Sequence, residues 1–232
     1  MTFRPRFWPT VTTALMLIAL LGLGSWQVQR YSWKADLLEK LSSRSQAAAM
    51  ALPNGLTVSE DLEFQRVTLI GTYLHEHEFH LFGRSLRGNP GVHVLTPLRR
   101  ADGKGYVIVD RGWVPFDKRS ATERSAGQVK GEVTFEGIVR LANGPGPFSP
   151  DNDPVRNDWF FVEPAAMAKL AGIDALPNYY VLSGAANVPG GYPVSRQWRL
   201  DIPNNHAEYA ITWYLMALVL IGIYIVYHRQ KP

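Results

Sequence analysis

The chain contains no cysteine. Disulfides, cysteine-ligated zinc, iron–sulfur clusters, thiol redox chemistry and covalent c-type haem attachment are therefore excluded. The compartment stays open, because disulfide-free proteins occur on both sides of a membrane. Charge is scarce: 19% of residues are charged against 46% hydrophobic, which rules out a disordered chain. A basic surface is missing as well. The net charge of +4 comes from Arg4, Arg6, Arg229 and Lys231 at the two ends. Residues 30–208 are neutral overall, and a nucleic-acid surface needs a basic patch to displace counterions, so no nucleic acid is expected as a partner. There is no Walker A loop, no G-x-G-x-x-G and no G-x-S-x-G elbow; Ser85 sits in Gly83-Arg84-Ser85-Leu86-Arg87-Gly88. No nucleophile–base pair can be named, so no enzyme is expected.

Two stretches lack charge altogether. Residues 7–29 are uncharged, and Trp8 to Trp26 measures about 28 Å as a helix, the thickness of a bilayer's hydrocarbon core. Residues 209–227 form the second run, with Tyr209, Trp213, Tyr224 and Tyr227 near its ends. Aromatic residues at the ends of such runs suit the membrane interface. The alternatives are a cleaved signal peptide for the first and a buried core helix for the second. Only Gly22-Leu23-Gly24 resembles a cleavage site, and Trp26, Arg30, Trp33, Leu37 and Leu41 carry a helical spacing past it, which favours an uncleaved anchor. Two spans put both ends on one side, and the basic ends favour the cytoplasm. A two-pass protein of the bacterial inner membrane is expected, with residues 30–208 periplasmic. Only six residues precede the first span, which argues against a mitochondrial leader.

Between the spans, residues 31–49 read as a helical extension, and Pro53-Asn54-Gly55 breaks the chain. Strand signals follow at 62–73, 79–82, 92–98, 105–110 and 131–139, with further candidates at 178–182 and 194–200. Asp102-Gly103 is a hairpin signal, residues 143–157 form a Pro- and Asn-rich loop, and 164–171 reads as a short helix opened by Pro164 and stopped by Gly172. The fold class is thus a membrane protein of α+β type. Two transmembrane helices flank a mostly antiparallel β domain, a small barrel or sheet, with one short helix.

Two clusters hold potential ligands. His75-Glu76-His77-Glu78-Phe79-His80 is not H-E-x-x-H; His75, His77 and His80 are either metal ligands or a polar connection between strands. His206 lies in Asn204-Asn205-His206, just before the second run, where either asparagine could cap the helix. On a helix, His206, Tyr209 and Trp213 share a face, as do Trp26, Arg30 and Trp33 on the first. The two faces fall at the same membrane depth. An imidazole there could ligate haem iron and a guanidinium could pair with a propionate. The plainer alternative is a histidine that hydrogen-bonds at a helix start and an arginine that snorkels to headgroups.

The chain resembles the surfeit-locus protein 1 family. The resemblance rests on Gly24-Ser25-Trp26-Gln27-Val28-Gln29-Arg30, Gly71-Thr72-Tyr73, Val94-Leu95-Thr96-Pro97-Leu98 and Val109-Asp110-Arg111-Gly112-Trp113-Val114-Pro115. It continues in Gly137-Ile138-Val139-Arg140, Phe148-Ser149-Pro150-Asp151-Asn152 and Asn204-Asn205-His206 with Tyr209-Ala210-Ile211-Thr212-Trp213-Tyr214. The resemblance implies a non-enzymatic assembly factor for haem–copper oxidases, chiefly cytochrome c oxidase. Such a factor would receive haem a and help place it in the oxidase catalytic subunit. His206 carries over as the candidate haem ligand, with Trp26, Arg30 and Trp213 beside it. The implied partners are that subunit, the haem a synthase and the lipid bilayer. A cofactor-free scaffold for the nascent subunit is the alternative. Two residues depart from the family pattern: Asp110 stands where asparagine is commoner, and Glu208 lies between His206 and the span.

Overall fold

The computed structural model describes residues 2–3, 5–53, 60–184, 187–197 and 203–230. The chain divides into two compact units, one formed by Met1–Leu41 with Leu200–Pro232 and the other by Ser42–Arg199.

The first unit is a helical hairpin. A two-residue strand β1 (Thr2–Phe3) precedes helix α1 (Phe7–Gln46); helix α3 (His206–His228) is followed by β10 (Arg229–Gln230), which pairs antiparallel with β1. No Gly or Pro interrupts α1 after Ser25, so it continues well beyond the apolar run and stops at Gln46, three residues short of the expected end. The helices run antiparallel: Thr10 Oγ1 meets Tyr224 Oη at 2.8 Å, Arg6 Nη1 donates to Tyr227 Oη at 3.1 Å, and Ser25 Oγ lies 3.3 Å from Tyr214 Oη. Ala210 and Ala217 are buried and Gly24 lies directly under the Tyr214 ring, so small residues permit the close approach.

Both helices are long and apolar enough to cross a membrane, and only 6% and 11% of their apolar windows are buried within the protein. Leu15, Ile18, Leu218 and Val219 point outward. A buried core helix would hide these side chains, so that alternative for residues 209–227 does not describe α3.

The second unit is a small β-barrel. Its elements are β2 (Met50–Ala51), β3 (Arg66–Tyr73), β4 (Phe79–Leu86), β5 (Asn89–Arg100), β6 (Tyr106–Pro115), β7 (Glu132–Leu141), β8 (Asp158–Trp159), helix α2 (Pro164–Ala171) and β9 (Tyr179–Ser183). Strands β3, β7, β9, β6 and β5 follow one another around a ring, and β5 closes it by pairing Leu98–Arg100 with Gly71–Tyr73 of β3. Most pairs are antiparallel; β2–β3, β4–β8 and β6–β9 are parallel, so the sheet is mixed. Val67, Leu69, Leu98, Val109, Val139 and Val181 fill the interior. Outside, α2 lays Met167 and Ala168 on Leu81, Leu95, Ile108 and Trp159. Strands β5 and β6 are thus covered on both faces, which explains their unbroken apolar runs.

Several boundaries differ from expectation. The segment read as a strand from residue 62 begins with a 3-10 turn, and β3 starts at Arg66. The segment read as 79–82 continues to Leu86, because Arg87 and Gly88 both take positive φ, 51° and 84°, and form a tight hairpin. Arginine rarely adopts that conformation, so the turn carried no signal. Asp102-Gly103 does lie in the β5–β6 hairpin. Helix α2 occupies 164–171 and Gly172 ends it in the left-handed region. Of the candidate strand 194–200, Val194 forms an isolated bridge with Trp113, and 198–200 lie outside the described residues, as do Asn54 and Gly55.

Candidate functional site

His206 is the first residue of α3. Its Nδ1 lies 2.6 Å from Oε1 of Gln27 on α1. A carbonyl oxygen only accepts, so Nδ1 carries the proton; in the neutral ring Nε2 then keeps its lone pair. An orienting oxygen on one ring nitrogen and a free lone pair on the other is the arrangement of a metal-ligating histidine. The same end of the hairpin is fixed twice more. Asn204 Nδ2 donates to the Tyr31 carbonyl at 3.2 Å, and Lys34 Nζ to the Pro203 carbonyl at 2.6 Å. Of the two candidate caps, Asn205 occupies the N-cap position of α3, without a side-chain hydrogen bond there, and the Asn204 amide is spent on α1.

Gly24, Gln27, Tyr31 and Lys34 therefore form the face of α1 turned to α3. Trp26 and Arg30 project about 100° around the helix from it, since each residue turns the chain by that angle. The Arg30 guanidinium lies 5.8 Å from the Trp26 ring and 5.3 Å from the Trp33 ring, and both indoles are about half exposed, 48% and 57%. The structure thus joins Trp26 to Arg30 and joins His206 to Gln27. Trp213, two turns beyond His206, lies on the half-buried side of α3, near buried Ala210 and Ala217. Glu208 is exposed in the first turn of α3, where the helix dipole favours a carboxylate. Gln27 was legible only as part of a motif; its partner lies 179 positions away.

The barrel holds a second polar centre that residue spacing gave no means to find. Glu78 accepts from Arg111 Nη1 at 3.0 Å, from Gln128 Nε2 at 3.0 Å and from both terminal nitrogens of Arg124. Burial alone would raise its pKa, but the imidazole of His75, the Arg124 guanidinium and the Gln128 amide outweigh it and bring the carboxyl down to about 2. Arg111 also donates to the Gly127 carbonyl and stacks 4.9 Å from the Tyr73 ring.

This centre bears on the two readings of the histidine cluster. His75 Nε2 donates to the Val129 carbonyl at 2.9 Å, and its Nδ1 faces Arg111 at 3.2 Å. His80 Nδ1 accepts from Arg119 Nε at 3.0 Å; burial, then the Arg119 charge, lowers its pKa to about 4. Guanidinium groups hold the positions a cation would need. Among the described residues no three potential ligands are placed to hold a metal. Asp110 is buried against His93, with Oδ2 2.8 Å from Nδ1 and Oδ1 accepting the Gly112 amide at 3.0 Å. The carboxylate at this position therefore serves a buried imidazole on the neighbouring strand β5.

The architecture defines a class: a small β-barrel inserted between two terminal helices, each able to span a bilayer. Residues 14–218 match the SURF1 family. The chain is 32% identical to a SURF1-like protein of Monosiga brevicollis, over 92% of this chain and 85% of that protein. It is 37% identical to surfeit locus protein 1 of Mus musculus, over 83% and 67%, and 34% identical to surfeit locus protein 1 of Homo sapiens, over 86% and 71%. The chain belongs to the SURF1 family.

Proposed function

We propose that this protein is a non-enzymatic assembly factor for a haem–copper terminal oxidase, holding haem a transiently and passing it to the oxidase catalytic subunit. In this reading both helices span a bacterial inner membrane, both ends are cytoplasmic and the barrel is periplasmic. Family membership supports the general role, and the pairing of the two chain ends in the antiparallel hairpin supports the topology. The observation that carries the haem reading is the His206–Gln27 pair, which leaves one imidazole lone pair available. His206 would ligate the haem iron, with Trp213 on the same helix face; Arg30, held between Trp26 and Trp33, would meet a propionate. An imidazole for the iron and a guanidinium for a propionate are donors of the kind haem takes. Ligation by one histidine would suit a carrier that must release its cargo. The haem a synthase is the donor this role requires.

Deletion of the gene is expected to lower the haem a content of the oxidase several-fold. The wild-type gene should restore it and His206→Ala should not. A fully haem-loaded oxidase in the deletion strain would contradict the proposal. Gln27→Leu should leave Nδ1–H without its acceptor and weaken haem retention about tenfold, the usual cost of removing an orienting partner. Haem retained equally on gel filtration would remove Gln27 from that role.

A cofactor-free scaffold is the second reading. The exposed Trp26–Arg30–Trp33 face favours it, because that face turns away from His206 and could receive a helix of the nascent subunit. It requires co-purification with that subunit from cells that make no haem a.

A further inference from the structure

We propose that the cavity beside Arg111 is a binding site for a carboxylate carried on a short apolar stem. The cavity lies wholly in the barrel unit, with a volume of about 140 Å³, and its walls include Tyr73, Arg111, Val133, Phe135, Ser183 and Val188. A cavity of about that volume accommodates one benzene ring. Tyr73 and Arg111 come from two separate motifs, and the haem reading uses neither.

The electrostatics call for an anion of charge −1. Arg111 and Arg124 share the Glu78 carboxylate, and Arg119 pairs with Asp158 and His80; Arg124 Nη2 ties the two groups by donating to the Arg119 carbonyl at 3.3 Å. His80 is neutral at pH 7, and His75 donates from Nε2 to the Val129 carbonyl. Three guanidinium groups thus face two carboxylates. Arg111 and Arg124 are 5% and 1% exposed in their side chains, so water does little to compensate the extra charge. Arg111 directs Nη1 to Glu78 and His75 and one Nη2 proton to Gly127. Its Nε–H and second Nη2–H have no protein acceptor among the described residues. The Tyr73 hydroxyl, bonded to Ser183 and held protonated chiefly by burial, adds a polar group at the same wall. The remaining walls are mostly apolar, with Val129, Val133, Phe135, Val188 and Pro189 against the polar Thr134 and Asn187. A monocarboxylate with a small hydrophobic stem satisfies both halves; a phosphate dianion overshoots the charge and lacks the stem.

The test uses the full-length protein in detergent micelles, with 4-fluorobenzoate, 4-fluorobenzamide and inorganic phosphate, read by fluorine line broadening for the first two and by calorimetry for all three against empty micelles. Benzoate is expected to bind saturably and at least about tenfold more tightly than the neutral amide or phosphate, as one charge-assisted arginine contact requires. Val188→Trp, which fills the cavity from its half-buried rim, should weaken benzoate binding at least about tenfold at unchanged melting temperature. Equal binding of acid and amide, or no saturable benzoate binding at concentrations of about 10 mM, would overturn the proposal without needing any variant. It would leave the haem reading untouched. A propionate and octanoate pair separates the sources: tighter octanoate binding indicates a longer ligand reaching out of the mouth, and equal binding a small free acid, both in keeping with the site.

Discussion

Replacing Gly112 with alanine is expected to unfold the barrel, at a cost of about 4 kcal/mol or more. Gly112 has φ of 120°, and a Cβ built on it would lie 2.0 Å from the Val194 carbonyl oxygen and 2.8 Å from the Ser195 Cα. Backbone atoms cannot rotate away as a side-chain tip can. The neighbouring Trp113 and Val194 exchange two backbone hydrogen bonds at 2.9 and 2.8 Å, so yielding would break both. Strand register adds to the constraint. Val94 faces Gly112 while Leu95 faces Asp110, so Arg111 is the extra residue of a β-bulge. The bulge frees Arg111 from the ladder and lets its side chain reach Glu78. Denaturant unfolding of the full chain checks this; an alanine variant within about 1 kcal/mol of wild type would contradict it.

Glu78→Gln should cost about 3–5 kcal/mol, because it leaves two buried guanidinium groups without their shared carboxylate. The same residue predicts an acid dependence. Folding lowers the Glu78 pKa from 4.5 to about 2, so the folded protein favours the carboxylate. The stabilisation is fully present above the unfolded value and is lost as pH falls from 4.5 towards 2. A shift of that size corresponds to about 3 kcal/mol. Melting temperature against pH should drop through this window more steeply in wild type than in Glu78→Gln. Parallel curves, or equal stability at neutral pH, would refute the role assigned to Glu78.

What the sequence disclosed follows from how local each cause is. The spans, the α1 extension, the α2 boundaries and most strands depend on charge gaps, turn residues and short periodicities, and these are visible along the chain. Whether the sheet would close was left open, because closure depends on β5 bending to reach β3 after pairing with β6. The Arg87-Gly88 hairpin was invisible because arginine supplies no turn signal. The site divides similarly. His206 stood out by its place at the start of a span, and Trp26 with Arg30 by helical spacing. Their relation did not, since the one-residue step from Trp26 to Gln27 decides which side chain meets His206. The Glu78 cluster draws on residues 33 and 46 positions further along, a separation only the folded barrel reveals. His75 and His80 looked like metal ligands for the same reason: their arginine partners are remote in sequence.

The most direct measurement is the absorption spectrum of the full-length protein purified from cells that make haem a, recorded beside His206→Ala. A bound haem band in the wild type that falls at least several-fold in the variant is the predicted result. Identical haem content and spectra in the two proteins would contradict it.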